Sequence, residues 1–256
     1  MKKVFTLIIG LALSIQYVLA QSEYYQIKVY NVKQGHQEEV VDEYLEKSFL
    51  PSFHQLGVKD IGVFKPIENP NDSSTFIYIL IPFKSLDQCF ELIQKQAADE
   101  KHQKAGSEYL NASPDNPPYI RMESILLKAF KDMPIHKTPE FSTANKDRVY
   151  ELRSYESATE KLHENKVHMF NEGGEVTLFS ELEFNAVFYG SVISGSKMPN
   201  LMYMTSFENM ESRENHWQKF RDSPVWIAMK AKPEYQTPNV SHIDIYLLYP
   251  TDYSDY

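Results

Sequence analysis

The sequence predicts an α+β fold in which one chain carries two copies of a β-α-β-β-α-β unit. Three observations carry the prediction. Residues 149–231 read in order as strand, helix, strand, strand, helix and a short extra helix. The same order appears earlier in the chain. Tyr25 and Tyr30 stand 125 positions before Tyr150 and Tyr155, and Phe83 and Ser85 stand 124 before Phe207 and Asn209. Similar offsets across separate elements point to duplication rather than chance. The third observation is the single cysteine, Cys89, which excludes an intrachain disulfide. The fold must therefore stand on its hydrophobic core, which a chain of this length can supply.

The N-terminus lies outside that fold. Lys2 and Lys3 precede an apolar run from Val4 to Val18, and Val18-Leu19-Ala20 is a small-x-small cleavage pattern before Gln21. Residues 1–20 are thus expected to be a secretory signal peptide. The run falls short of the ~20 apolar residues that a spanning helix needs, so no membrane span is expected after cleavage. The expected destination is a periplasm or the outside of the cell. Removing 20 of the 256 residues leaves 236; without Lys2 and Lys3, 24 basic residues face 35 acidic ones, net −11. Nucleic acid is excluded as a partner, because phosphate neutralisation needs a basic surface.

The elements follow in order. Tyr25 to Tyr30 alternates polar and apolar, as a strand does. Val40, Val41, Tyr44, Leu45 and Phe49 recur at helical spacing. Ile61 to Phe64 forms a second strand, ended by Pro66; Asn69 to Ser73 is a turn, and Phe76 to Ile81 a third strand. Ser85-x-x-Gln88 is a capping box, opening a helix whose apolar stripe is Leu86, Cys89, Phe90 and Ile93. Residues 98–107 read as a short polar helix, 111–118 as a loop and 120–130 as a fourth strand. The first unit is assigned to 23–130. Residues 131–146, with Pro134 and Pro139, form a linker, and 147–251 form the second unit. There Leu162, Val167, Met169 and Phe170 mark a helix that Gly173-Gly174 ends. Asn209 caps the next helix, Ser223-Pro224 opens a short third, and Ser241 to Tyr249 is the last strand.

The second unit resembles the NIPSNAP family, within the dimeric α/β-barrel proteins. The resemblance rests on Tyr150 to Tyr155, on Met202 to Phe207, and on the pattern Met210, Arg213, Trp217, Phe220, Pro224 and Trp226. It implies two tandem ferredoxin-like βαββαβ repeats whose helix-free faces meet to close an eight-stranded barrel. One chain then supplies both halves, which leaves a homodimer optional. The resemblance brings no catalytic residue with it. It implies a small-molecule or partner-binding module. Related barrels also include cofactor-free monooxygenases and haem-binding enzymes that use the barrel interior, which makes an enzyme the alternative.

A period of two assigns side chains to faces. Tyr150 and Leu152 are the apolar set of their strand and are expected under the helices; Glu151, Arg153 and Tyr155 are then expected inside the barrel, as are Gln26, Lys28 and Tyr30 at offset 125. On the last strand Ile243, Ile245 and Leu247 are expected under helices, and His242, Asp244 and Tyr246 inside. The candidate site is therefore Arg153, Glu151, Tyr155, Tyr246, Asp244 and His242. Arg153 would anchor a small anionic or aromatic ligand, since a planar guanidinium binds carboxylates in a bidentate way. The competing reading is a structural ion pair between Glu151 and Arg153. Arg213 reads as a surface cation and Trp217 as core. His163 and His168 are five apart, not the four that zinc ligands on a helix use, and no Cys/His framework predicts a metal. There is no GxGxxG, P-loop or GxSxG motif, and the sequence names no cofactor. Asn71, Asn111 and Asn239 lie in N-x-S/T sequons.

Overall fold

The computed structural model describes residues 22–69 and 73–256. The expected signal peptide, its cleavage site at Gln21, most of the turn after Asn69 and the sequon at Asn71 lie outside the described residues. The strands are β1 (Tyr24–Lys33), β2 (Gly62–Pro66), β3 (Ser74–Phe83), β4 (Arg121–Ala129), β5 (Val149–Glu156), β6 (Phe188–Ser194), β7 (Asn200–Phe207) and β8 (His242–Pro250). They close a barrel in the order β1-β3-β2-β8-β5-β7-β6-β4. The first half holds α1 (His36–Tyr44), a π-helical turn (Leu45–Phe49), α2 (Leu50–Gln55), α3 (Leu86–Ala98), α4 (Glu100–Ala105) and α5 (Ser107–Leu110). The second holds α6 (Glu160–Phe170), α7 (Glu175–Glu181), α8 (Met210–Asp222) and α9 (Pro224–Lys230).

Local signals set most of these elements. Ser85 accepts a bond from the Gln88 amide while Gln88 accepts one from the Lys84 amide, which fixes the start of α3. Asn209 accepts from Ser212 at the start of α8, and Ser223 accepts from Trp226 ahead of Pro224 in α9. Gly174 sits at φ +94°, and a Cβ on Gly173 would come within 2.3 Å of the Met169 carbonyl oxygen. Two glycines in a row therefore let the chain turn directly from α6 into α7. The sequence reading did not anticipate α7. It also misplaced the stripe on α3: the buried residues are Cys89, Leu92 and Gln96, while Phe90 is 55% exposed.

Two seams join the halves. β2 meets β8 through only three residue pairs, from Phe64 with Pro250 to Pro66 with Leu248. β4 meets β6 with a bulge between Leu126 and Leu127. Three large apolar clusters result. The barrel interior draws on both halves, with Tyr25, Ile27, Leu127, Tyr150, Leu152 and Met202 among its residues. One further cluster lies under the helices of each half. The expected faces are therefore inverted on β1 and β5: Tyr150 and Leu152 fill the barrel, and Glu151, Arg153 and Tyr155 lie on the outside with α8 and α6. Gln26, Lys28 and Tyr30 follow the same inversion, Lys28 lying 5.1 Å from the Phe49 ring and Tyr30 joining the outer cluster. Both faces of these strands are buried, the interior by the apolar set and the outer face by helices that supply polar partners for Glu151 and Arg153. On β8 the inward parity holds, with Tyr246 packed on the interior cluster. Leu247 joins the outer cluster as expected, but Ile243 and Ile245 are 45% and 46% exposed because no helix covers them.

One end of the barrel is plugged. Phe141, from the segment between the halves, and Tyr256 both pack on the interior cluster around Tyr150. That segment is fastened rather than slack, since Glu23 accepts bonds from both the backbone amide and the ring of His136. The opposite end is the mouth.

Candidate functional site

The six predicted site residues divide into two groups. Glu151 is fully buried between β5 and α8. Its Oε1 accepts from Arg153 Nε at 2.6 Å and Arg213 Nη2 at 3.0 Å, and its Oε2 from Arg213 Nε and Trp217 Nε1, each at 2.7 Å. The Arg153 guanidinium lies 3.8 Å from the centroid of the Trp217 ring and donates to the Tyr155 hydroxyl at 3.2 Å. Tyr155 in turn shares a 2.9 Å bond with Tyr203. Arg213 is thus no surface cation; with Arg153 it clamps one carboxylate. A buried charge needs this degree of pairing. The arrangement braces α8 against the sheet, and it leaves Arg153 with partners on every side rather than an open anion socket. Beside it Lys166 pairs with Glu175 at 2.8 Å, both buried. Glu175 opens the unanticipated α7, which is why this pair was illegible in the sequence.

His242, Asp244 and Tyr246 belong to the second group, at the barrel mouth. A cavity of about 140 Å³ opens there, walled by Val29, Phe76, Tyr78, Ile125, Val192 and Met202 among apolar groups. Its polar lining is Ser154, Asn200, Glu123, Ser196, Lys197 and the Tyr246 hydroxyl end. The Tyr78 and Tyr246 rings, 5.4 Å apart, also line an outer cleft of about 400 Å³ shared with Ile67, Met210 and Ile245. Lys197, from the turn between β6 and β7, reaches Asp244 at 2.5 Å and the Tyr246 hydroxyl at 3.5 Å. His242 Nε2 lies 3.1 Å from the other Asp244 oxygen. Burial alone would raise the Asp244 carboxyl, but hydrogen bonds from Lys197 and His242 outweigh it and hold it below its ordinary value. Burial raises the Tyr78 and Tyr246 hydroxyls.

Asn200 supplies the one spare polar group of this wall. The residue is 3% exposed; its Nδ2 donates to Ser154 at 3.0 Å, and its Oδ1 has no partner among the described protein groups. A buried acceptor without a donor is costly, which sets this amide apart from the other polar groups of the wall. Sequence reasoning missed Ser154, Glu156, Lys197 and Asn200. The inverted face on β5 hid the first two, and the other two lie at a hairpin without any motif. A wider depression, about 780 Å³, lies outside the barrel against α7 and the segment between the halves. Its charged lining includes exposed Asp132, Lys137, Glu140 and Glu183 beside half-buried Glu208. The mouth better matches a ligand site, apolar with a few convergent polar groups.

Comparison with known proteins now fixes the class. An α+β chain closed into an eight-stranded antiparallel barrel with outer helices has the architecture of the α/β-barrel proteins. A protein from Fusobacterium nucleatum, provisionally described as a monooxygenase, shares it with TM-score 0.59 at 9% identity, covering 90% of this chain and 92% of its own. A protein from Lactobacillus acidophilus NCFM with the same provisional description gives TM-score 0.59 at 15% identity, covering 90% and 94%. A NIPSNAP family protein from Agrobacterium tumefaciens matches 47% of this chain and 97% of its own at 18% identity, with TM-score 0.38. None of the curated proteins matches. Residues 150–255 match the NIPSNAP family model, so this part of the chain carries a NIPSNAP domain.

Proposed function

We propose that this protein is a small-molecule-binding barrel whose ligand enters at the mouth and seats a ring-sized apolar body against Tyr78, Ile125 and Met202. The observation that carries the reading is the cavity itself, an apolar wall of Val29, Phe76, Tyr78, Ile125, Val192 and Met202 with a few polar groups, buried Asn200 among them, converging at one side. A cavity near 140 Å³ suits a single aromatic ring. The charges around it are Glu123, Glu156 and Asp244 against Lys197. They favour a neutral or cationic donor head over an anion. The aromatic half of the expected ligand therefore stays and the anionic half goes, because Arg153 is committed under α8. The test uses benzylamine, phenol and benzoate as probes, followed by ligand-observed NMR. Benzylamine and phenol should bind more tightly than benzoate, and Ile125→Trp, which fills the cavity, should abolish binding of all three. Binding that survives Ile125→Trp unchanged would contradict the reading.

The wider expectations keep their form as proposals. The chain is read as two tandem ferredoxin-like repeats in one polypeptide, supported by the repeated element order and by the two four-strand runs that β2–β8 and β4–β6 join. It is read as exported to a periplasm or the cell exterior, with mature protein starting at Gln21; N-terminal sequencing checks this. A haem does not fit the cavity: about 140 Å³ holds a body the size of one aromatic ring, not a tetrapyrrole. The only histidine at the mouth is 59% exposed and bonded to Asp244. A cofactor-free reaction would use the same cavity, and a binding assay locates it either way.

A further inference from the structure

The rim above the cavity carries an inference that does not depend on a ring-shaped ligand. Register sets Asn200 directly opposite Glu156, and Glu156 directly opposite His242. All three share the inward parity of Ser154, Met202 and Tyr246, so they form one row across β7, β5 and β8. Asp244 lies next along β8. One donor atom each from Glu156, His242 and Asp244 fall within 4.8 Å of one another. A cation already occupies this ring: Lys197 Nζ is 2.5 Å from Asp244 Oδ2 and 4.0 Å from Glu156 Oε1. Lys197 comes from a hairpin turn, and its side chain is 41% exposed. A four-carbon stem of that kind can leave by rotation alone. Asn200, a 97% buried amide, stands in the same row opposite Glu156, and its Oδ1 has no hydrogen-bond partner among the described residues.

We propose that the rim is a divalent-cation site for Zn²⁺ or Mn²⁺, latched by Lys197. The ammonium neutralises the two carboxylates in the metal-free protein; the metal displaces it and takes Glu156, Asp244 and His242, with the Asn200 carbonyl as a fourth donor. The donor set decides the class of ion. An imidazole with carboxylates suits zinc or manganese, whereas calcium asks for six to eight oxygens. A metal there would stand at the open edge of the cavity, where a ligand head group could reach its remaining positions.

The test is calorimetric titration of the chelator-treated full chain with Zn²⁺ and with Mn²⁺. The wild type should bind one ion, and Lys197→Met should bind about tenfold more tightly, the factor of a 1.4 kcal/mol change. His242→Ala and Asp244→Asn should weaken binding more than tenfold. Lys197→Gln repeats the latch test should the methionine variant fold poorly. Absence of binding in wild type and both lysine variants overturns the site, as does binding indifferent to His242→Ala and Asp244→Asn. Lysine variants that bind no more tightly overturn the latch. Ile125→Trp separates this inference from the cavity reading, since it should lose benzylamine and keep the metal.

Discussion

Glu151 shows how one buried residue organises its surroundings. Four hydrogen bonds from Arg153, Arg213 and Trp217 converge on a side chain with no exposed surface. Removing the carboxylate leaves two guanidinium groups facing each other with no anion between them, so Glu151→Ala should cost ~3–5 kcal/mol. Arg153→Met should cost less, because Arg213 and Trp217 still satisfy Glu151. Equal losses in urea denaturation would show that the carboxylate depends on Arg153 alone. Trp217→Ala removes a buried ring together with a donor, and ~3–5 kcal/mol is expected. An unchanged melting midpoint would contradict its burial. Sequence reasoning singled out Glu151, Arg153 and Tyr155 as a candidate site and Trp217 as core, and the structure gathers all four into one buried cluster. That reasoning set the first three on the wrong face because it treated the helix side as the only dry side. Arg213 stands 62 residues from Glu151, and nothing local predicts that pairing.

Elements with strong local chemistry were legible. The caps at Ser85, Asn209 and Ser223 were visible in the sequence and are made as expected. Asn209→Ala should cost ~1 kcal/mol, read as a lowered melting midpoint. α7 was illegible because it begins immediately behind a glycine pair that reads as a stop. The segment 131–146 was read as a linker from its prolines, yet it is pinned to β1 by the bond between His136 and Glu23. Burial alone would lower the His136 imidazole, but Glu23 and Asp60 outweigh it and raise it above its ordinary value. The protonated form is therefore favoured by folding. Its contribution is fully present below the unfolded value of ~6.5 and fades as pH rises through the higher folded value. Thermal melts of wild type should lose stability across that window relative to His136→Gln. Parallel profiles for the two proteins would show that this contact does not couple to folding.

At the scale of the whole molecule, the strand and helix pattern together with the NIPSNAP resemblance made the barrel legible, while the mouth was not. The mouth is assembled from the ends of β4, β5, β7 and β8 and the β6–β7 turn, and each contributes residues that look like ordinary strand ends or turns. The run β8-β5-β7-β6-β4 sets these residues side by side, and closure of the barrel brings Val29, Phe76 and Tyr78 of β1 and β3 round to face them. The far end is held by Tyr256, packed in the interior cluster. Tyr256→Ala should cost ~3–5 kcal/mol through loss of that ring, measured by chemical denaturation; a variant as stable as the wild type would contradict the plug. The central claim, that the mouth cavity is the ligand site, is tested most directly with ¹³C-methyl-labelled methionine and benzylamine. Met202 lines the cavity, whereas Met169 and Met229 pack together in a separate outer cluster. A saturable shift of the Met202 methyl with Met169 and Met229 unmoved is the predicted result. A silent Met202 while Met169 or Met229 responds would place the ligand elsewhere and contradict the account.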